Sequence, residues 1–192
     1  LSLSEMKISL ENVELCREKI FSNLVKMNIK YTDNRSLLFV HRIRDLETNP
    51  EMACAIEMCV MRTISNFLLD LSGRLNIVIV GSCTGRLYDQ NSAESYHYVK
   101  SLQKSFVKYY GLANKNVFAN TIELFDFDKY KNNSQSNDYK EYLEKSKLRN
   151  RGRRVPSYDE LYSIIDYLCS NTIGINCQTI KLDNGALSVQ VS

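Results

Sequence analysis

The stretch Asn76–Val80 (NIVIV) constrains this chain more than any other. It is β-branched and apolar on both faces of the strand it predicts, so it needs cover on both sides. A hairpin with one wet face cannot supply that. Two long helical segments flank it. Glu51–Leu71 follows Pro50, a first-turn proline, and is unusually apolar. Ser92–Tyr110 precedes Gly111, which reads as a C′ glycine.

Further strands are expected at Met6–Leu10, Ser36–His41, Asn116–Ile122 and Gln178–Leu182. Helices are expected at Glu11–Met27, Asp138–Leu148 and from Pro156 to Cys169. Buried strands alternating with amphipathic helices predict an α/β domain, a Rossmann-like parallel sheet with helices on both faces. The chain of 192 residues suits a single domain over 1–192 with a substantial core.

Composition narrows the function classes. A net charge of +3 is too even to announce a nucleic-acid binder. No apolar run approaches the roughly 18–20 residues of a membrane span, so neither a span nor a membrane partner is expected. No secretory signal is visible at the start, which also lacks an initiator Met. A fragment, a processed product, or part of something longer would each begin this way. Six cysteines, at 16, 54, 59, 83, 169 and 177, form no CxxC pair. They read as buried free thiols of a reducing cytoplasm, which gives the expected localisation. His41 and His97 are the only histidines and lack ligand spacing, so no metal is expected.

The loop after the best strand carries the chemical signal. Gly81-Ser82-Cys83-Thr84-Gly85 closes it, and Tyr96-His97-Tyr98-Val99-Lys100 follows on the next helix. Ala119-Asn120-Thr121-Ile122 ends another strand, and Asp183-Asn184-Gly185 follows the last one. In this order the motifs resemble the short-chain dehydrogenase/reductase family, closest to its 3-oxoacyl-[acyl-carrier-protein] reductase branch, over about residues 6–188. The resemblance implies catalytic roles for Ser82, Tyr96 and Lys100. Ser82 would position a substrate carbonyl and Tyr96 would supply its proton. Lys100, one turn on, would lower the Tyr96 pKa and bind the ribose of NADPH or NADH, if a dinucleotide binds.

Several family elements are missing. The glycine-rich dinucleotide fingerprint is absent, and the chain begins at the family's third strand, so strands 1 and 2 are lacking. Where the family has Asn-Asn-Ala-Gly, Ser36–Val40 runs into His41-Arg42-Ile43-Arg44. The helix that should carry a catalytic Asn reads MACAIEMCVMRT, and a Pro-Gly after the sixth strand is replaced by Glu123-Leu124-Phe125. These departures all fall on the cofactor side. They predict a degenerate, noncatalytic subunit that pairs with an active ketoacyl-reductase-like partner in fatty-acid or polyketide-type synthesis. The alternative is a working NAD(P)H-dependent carbonyl reductase whose N-terminal portion lies outside this sequence.

The resemblance also implies an oligomer through helices 51–71 and 92–110, though ordinary core helices would read similarly. The basic stretch 145–154 is either a solvated loop or a dock for an acyl carrier protein; nucleic acid fits it less well, since it holds no stacking aromatic.

Overall fold

The structure is a computed structural model that describes residues 10–26, 30, 32–39, 50–83, 92–125, 137–149, 154–170 and 174–185. Among the described residues four strands form one parallel sheet in the order β1-β2-β3-β4: β1 (Thr32–Phe39), β2 (Ser72–Ser82), β3 (Val117–Leu124) and β4 (Thr179–Leu182). The helices are α1 (Leu10–Lys26), α2 (Pro50–Asp70), α3 (Glu94–Ala113), α4 (Asn137–Arg149) and α5 (Tyr158–Cys169). The expected strand at Met6–Leu10 lies outside the described residues except for Leu10, which opens α1.

Residue alternation along β2 explains the layering. Ile77 and Ile79 face α2 and α3, in a core with Met61, Leu68, Phe106 and Val107. Val78 and Val80 face the other way, against Leu161, Ile165 and Leu168 of α5. Leu75 through Val80 are all buried. The two-sided apolar strand read from the sequence is therefore central, with β1 and β3 hydrogen-bonded on either side of it. Phe21 of α1 meets Phe67 of α2 edge to face at 5.7 Å, so α1 forms an outer layer over α2.

Gly111 corrects one expectation. It does not end α3 as a left-handed glycine; the helix continues to Ala113, and Asn114 caps it by donating to the Tyr110 carbonyl at 3.0 Å. The glycine is required by space instead. A Cβ there would come within 2.7 Å of Cys177 Sγ and closer still to Asn176 Oδ1. The segment before β4 is pinned in that gap. Asn176 Nδ2 donates to the Gly111 carbonyl at 2.9 Å and to the Val117 carbonyl at 3.3 Å, and its Oδ1 accepts from Ala119 N at 2.9 Å.

A second correction concerns membrane spans. Among the described residues α2 is long and apolar enough to cross a membrane by length and composition, with a mean hydropathy of 1.4 over its best window. It is nevertheless packed between α1, α3 and β2, and it carries a buried carboxylate, Glu57. Cys54, Cys59, Cys83, Cys169 and Cys177 are free thiols, but against expectation only Cys83 among them is buried; the other four are half-buried.

Candidate functional site

The three expected catalytic residues lie near the C-terminal end of the sheet. Ser82 is the last residue of β2, in phase with Val78 and Val80. Tyr96 and Lys100 lie one turn apart on α3, which covers the opposite face. The structure brings Tyr96 and Lys100 together: the Lys100 ammonium sits 5.5 Å from the centre of the Tyr96 ring. The ring packs in a small apolar cluster with Ala53, Cys54 and Val99.

Lys100 is 3% exposed, which is unusual for a lysine. Its ammonium donates to Gln103 Oε1 at 3.1 Å. Gln103 Nε2 in turn donates to Glu57 Oε1 at 2.6 Å. Gln103 and Glu57 are as deeply buried as Lys100. The amide is oriented by the charges around it: its acceptor end meets the cation and its donor end meets the anion. A buried polar chain thus links α3 to α2.

Sequence reasoning missed this chain, although two signals were present. Glu57 is the one acid inside the apolar run MACAIEMCVMRT, and Gln103 stands three residues after Lys100, on the same helix face.

Burial pushes the Lys100 ammonium down to about 8, while the Glu57 carboxylate acts in the opposite direction. Burial also raises the Cys54 thiol, and Glu57 adds to that rise. The consequence for stability has a definite sign. Below pH 8 native and unfolded chains both carry the Lys100 proton, and the native state bears the full cost of burying it. Between 8 and the ordinary lysine value of 10.5 the unfolded chain holds a proton that the native chain has released. Stability from this group therefore rises with pH across that window. Over about pH 8 to 9.5, below tyrosine ionisation, the raised Cys54 thiol works against this rise, so urea midpoints of the wild type are expected to slope upward relative to those of Lys100→Met, which lacks the lysine component. Equal slopes in the two proteins would refute the assignment.

A second buried carboxylate lies beside the first network. Glu123, next to last in β3, is 1% exposed and forms an ion pair with Lys104 of α3. It stands opposite Gly81 of β2 and Lys181 of β4 in the strand register. Asn120, part of the recognised strand motif, has a structural role. It donates to the Ile175 carbonyl at 2.9 Å and accepts from Gln178 N at 3.0 Å, fixing the approach to β4. Asp183-Asn184-Gly185 forms a turn with φ of 47° at Asn184 and 81° at Gly185, closed by Gly185 N donating to Asp183 Oδ1. Thr84 and Gly85 of the expected loop lie outside the described residues, as do His41 and Arg42–Arg44.

In the basic stretch, Lys145, Lys147 and Arg154 each pair with a nearby carboxylate. Lys145 meets Glu141 at 2.6 Å and Lys147 meets Glu144 at 2.8 Å. Arg154 grips both oxygens of Glu160, holding that carboxyl down at about 2. Glu160 also completes a capping box with Ser157 at the start of α5. Among the described residues no cluster of His, Cys, Asp and Glu has the makings of a metal site. A groove of about 430 Å³ lies between α1 and α2, lined by residues that include Arg17, Phe21, Met58, Arg62 and Phe67; Ser82, Tyr96 and Lys100 do not line it.

The sheet order defines a class of fold, a parallel, Rossmann-like α/β domain. Solved structures with this fold include a short-chain dehydrogenase family protein from Francisella tularensis subsp. tularensis SCHU S4. It is 18% identical with a TM-score of 0.66, over 90% of this chain and 78% of that one. The enoyl-[acyl-carrier-protein] reductase (NADH) from Aquifex aeolicus VF5 is 16% identical with a TM-score of 0.69, over 92% and 74%. A gluconate 5-dehydrogenase from Burkholderia cenocepacia J2315, solved with NADP and tartrate, is 17% identical with a TM-score of 0.63, over 90% and 71%. No protein-family model and no curated protein matches the sequence.

Proposed function

We propose that this chain is a reductase-fold subunit that has given up dinucleotide chemistry and acts by assembly. In this reading it pairs through α2 and α3 with its own copy or with a catalytically competent ketoacyl-reductase-like relative. The pathway would be fatty-acid or polyketide-type synthesis, with an acyl carrier protein meeting the stretch 145–154.

The observation that carries the reading is the commitment of Lys100. The resemblance assigns its ammonium to a cofactor ribose, yet it is buried and bonded to Gln103, with Glu57 behind. Glu123 adds to this. It stands where the resemblance expects a Pro-Gly that contacts nicotinamide, and it is a buried carboxylate held by Lys104. The residues present therefore do not fit a nicotinamide dinucleotide in the usual way. The rival reading, an active carbonyl reductase, draws on the closeness of Tyr96 and Lys100.

NADPH and NADH titrations on the chain, with its intact mass verified, decide between the two readings. The expected result is no saturable binding in the micromolar range. Micromolar affinity, with carbonyl turnover that Tyr96→Phe abolishes, would establish the rival.

A further inference from the structure

The groove between α1 and α2 holds about 430 Å³, within the range of small-molecule sites. Its charge is unevenly placed along its length. α1 leads into β1 and α2 into β2, and these strands are parallel neighbours, so the two helices run the same way. Phe21 of α1 meets Phe67 of α2. Arg17 stands one turn back from Phe21, and Arg62 stands five residues back from Phe67. Both arginines line the groove and both are exposed, at about the same level along it. Further toward the start of α2 the floor is Ala55, Met58 and Cys59, all half-buried and without formal charge. Asp70, the acid of the lining, lies the other way, eight residues past Arg62 and so about 12 Å further along the helix.

We propose that this groove binds an amphipathic anion, a linear apolar tail carrying one carboxylate, as in a medium-chain fatty acid. The carboxylate meets Arg17 and Arg62, and the tail runs over Cys59, Met58 and Ala55, away from Asp70. A guanidinium takes a carboxylate through paired, charge-assisted hydrogen bonds. Two of them beside an uncharged, half-buried floor match a molecule that is charged at one end only. The small side chain of Ala55 keeps the tail's end of the floor open. The inference needs nothing from the noncatalytic reading, because Ser82, Tyr96 and Lys100 do not line this groove.

Dodecanoate, kept below its micelle concentration, is the probe, titrated into the full chain by calorimetry. Saturable binding at one site is expected. Affinity should fall about two- to fourfold for each methylene removed down to octanoate, fourfold being the value for a fully buried methylene. Dodecyltrimethylammonium, with the same tail and the opposite charge, should not bind. Arg62→Gln should weaken dodecanoate about tenfold or more, the worth of a hydrogen bond to a charged group. Ala55→Phe should fill the floor and abolish binding, and circular dichroism should be unchanged in both variants. Cys59 reports the location directly: bound dodecanoate should protect it from iodoacetamide and leave Cys169, on α5 across the sheet, as reactive as before.

No saturable binding of dodecanoate, or equal binding of dodecyltrimethylammonium, overturns the proposal. So does binding that neither Arg62→Gln nor Ala55→Phe lowers and that leaves Cys59 unprotected, since the ligand would then sit elsewhere on the chain. Binding to anionic lipid vesicles with no response to monomeric dodecanoate would assign the arginines to a lipid surface and overturn it too. NADPH binding by the chain would sink the noncatalytic reading and leave this groove's ligand standing.

Discussion

Lys100→Met is expected to destabilise the fold by about 3–5 kcal/mol, the usual result of removing one member of a buried charged set. Glu57 and Gln103 would stay behind, nearly sealed from water, with the Gln103 acceptor and the Glu57 charge no longer balanced. The cost comes from stranding these groups rather than from the strength of any one bond. Replacing all three together, by Glu57→Leu, Lys100→Met and Gln103→Leu, removes every polar atom of the set at once. The triple variant is therefore expected to recover most of the loss, and could exceed the wild type by about 1–4 kcal/mol. Urea denaturation of the wild type, the single and the triple variant gives the comparison. A neutral Lys100→Met alongside a badly destabilised triple variant would show that the chain is a packing feature and not a charge-balanced network.

Asn176→Ala is expected to cost about 2–4 kcal/mol, since a buried backbone group left without its partner costs about 1–3 kcal/mol. Three such groups, Gly111 O, Val117 O and Ala119 N, lose an Asn176 contact together. Gly111→Ala attacks the same joint from the other side, because its new Cβ would run into the Asn176 carboxamide and Cys177 Sγ. The two changes share one space and should not be additive. Combining them lets the added methyl group occupy part of the volume that Asn176 vacates, so the double variant is expected to lose less than the sum of the singles. Strict additivity in thermal or chemical unfolding would mean that the joint is not a shared contact.

The architecture was legible early because it follows from patterning. The β-branched run at Asn76–Val80 predicts a strand buried on both sides, and β2 is that strand. The apolar helix after Pro50 and the helix that opens after Pro156 also stand where the sequence puts them. These are local properties: a side-chain period, a proline and a cap act within a few residues of themselves.

The site was legible only in part. Ser82, Tyr96 and Lys100 could be named because they fall in recognisable motifs, and the structure brings the last two together. Their contacts could not be read, because Glu57 is 46 residues from Gln103 along the chain and meets it only when α2 packs on α3. Gly111 shows the same limit. As sequence it is a helix-ending glycine, but in the fold its missing Cβ makes room for Asn176, which arrives from 65 residues away. The amino-acid sequence by itself determined the order of strands and helices and which faces of them are apolar, since those depend on neighbours in the chain. Only the tertiary structure decided that the Lys100 ammonium is bonded to Gln103 beside Glu57 and that Asn176 fills the space beside Gly111. Partners far apart in sequence carry no local signal, and they meet only once the core has placed their helices and strands.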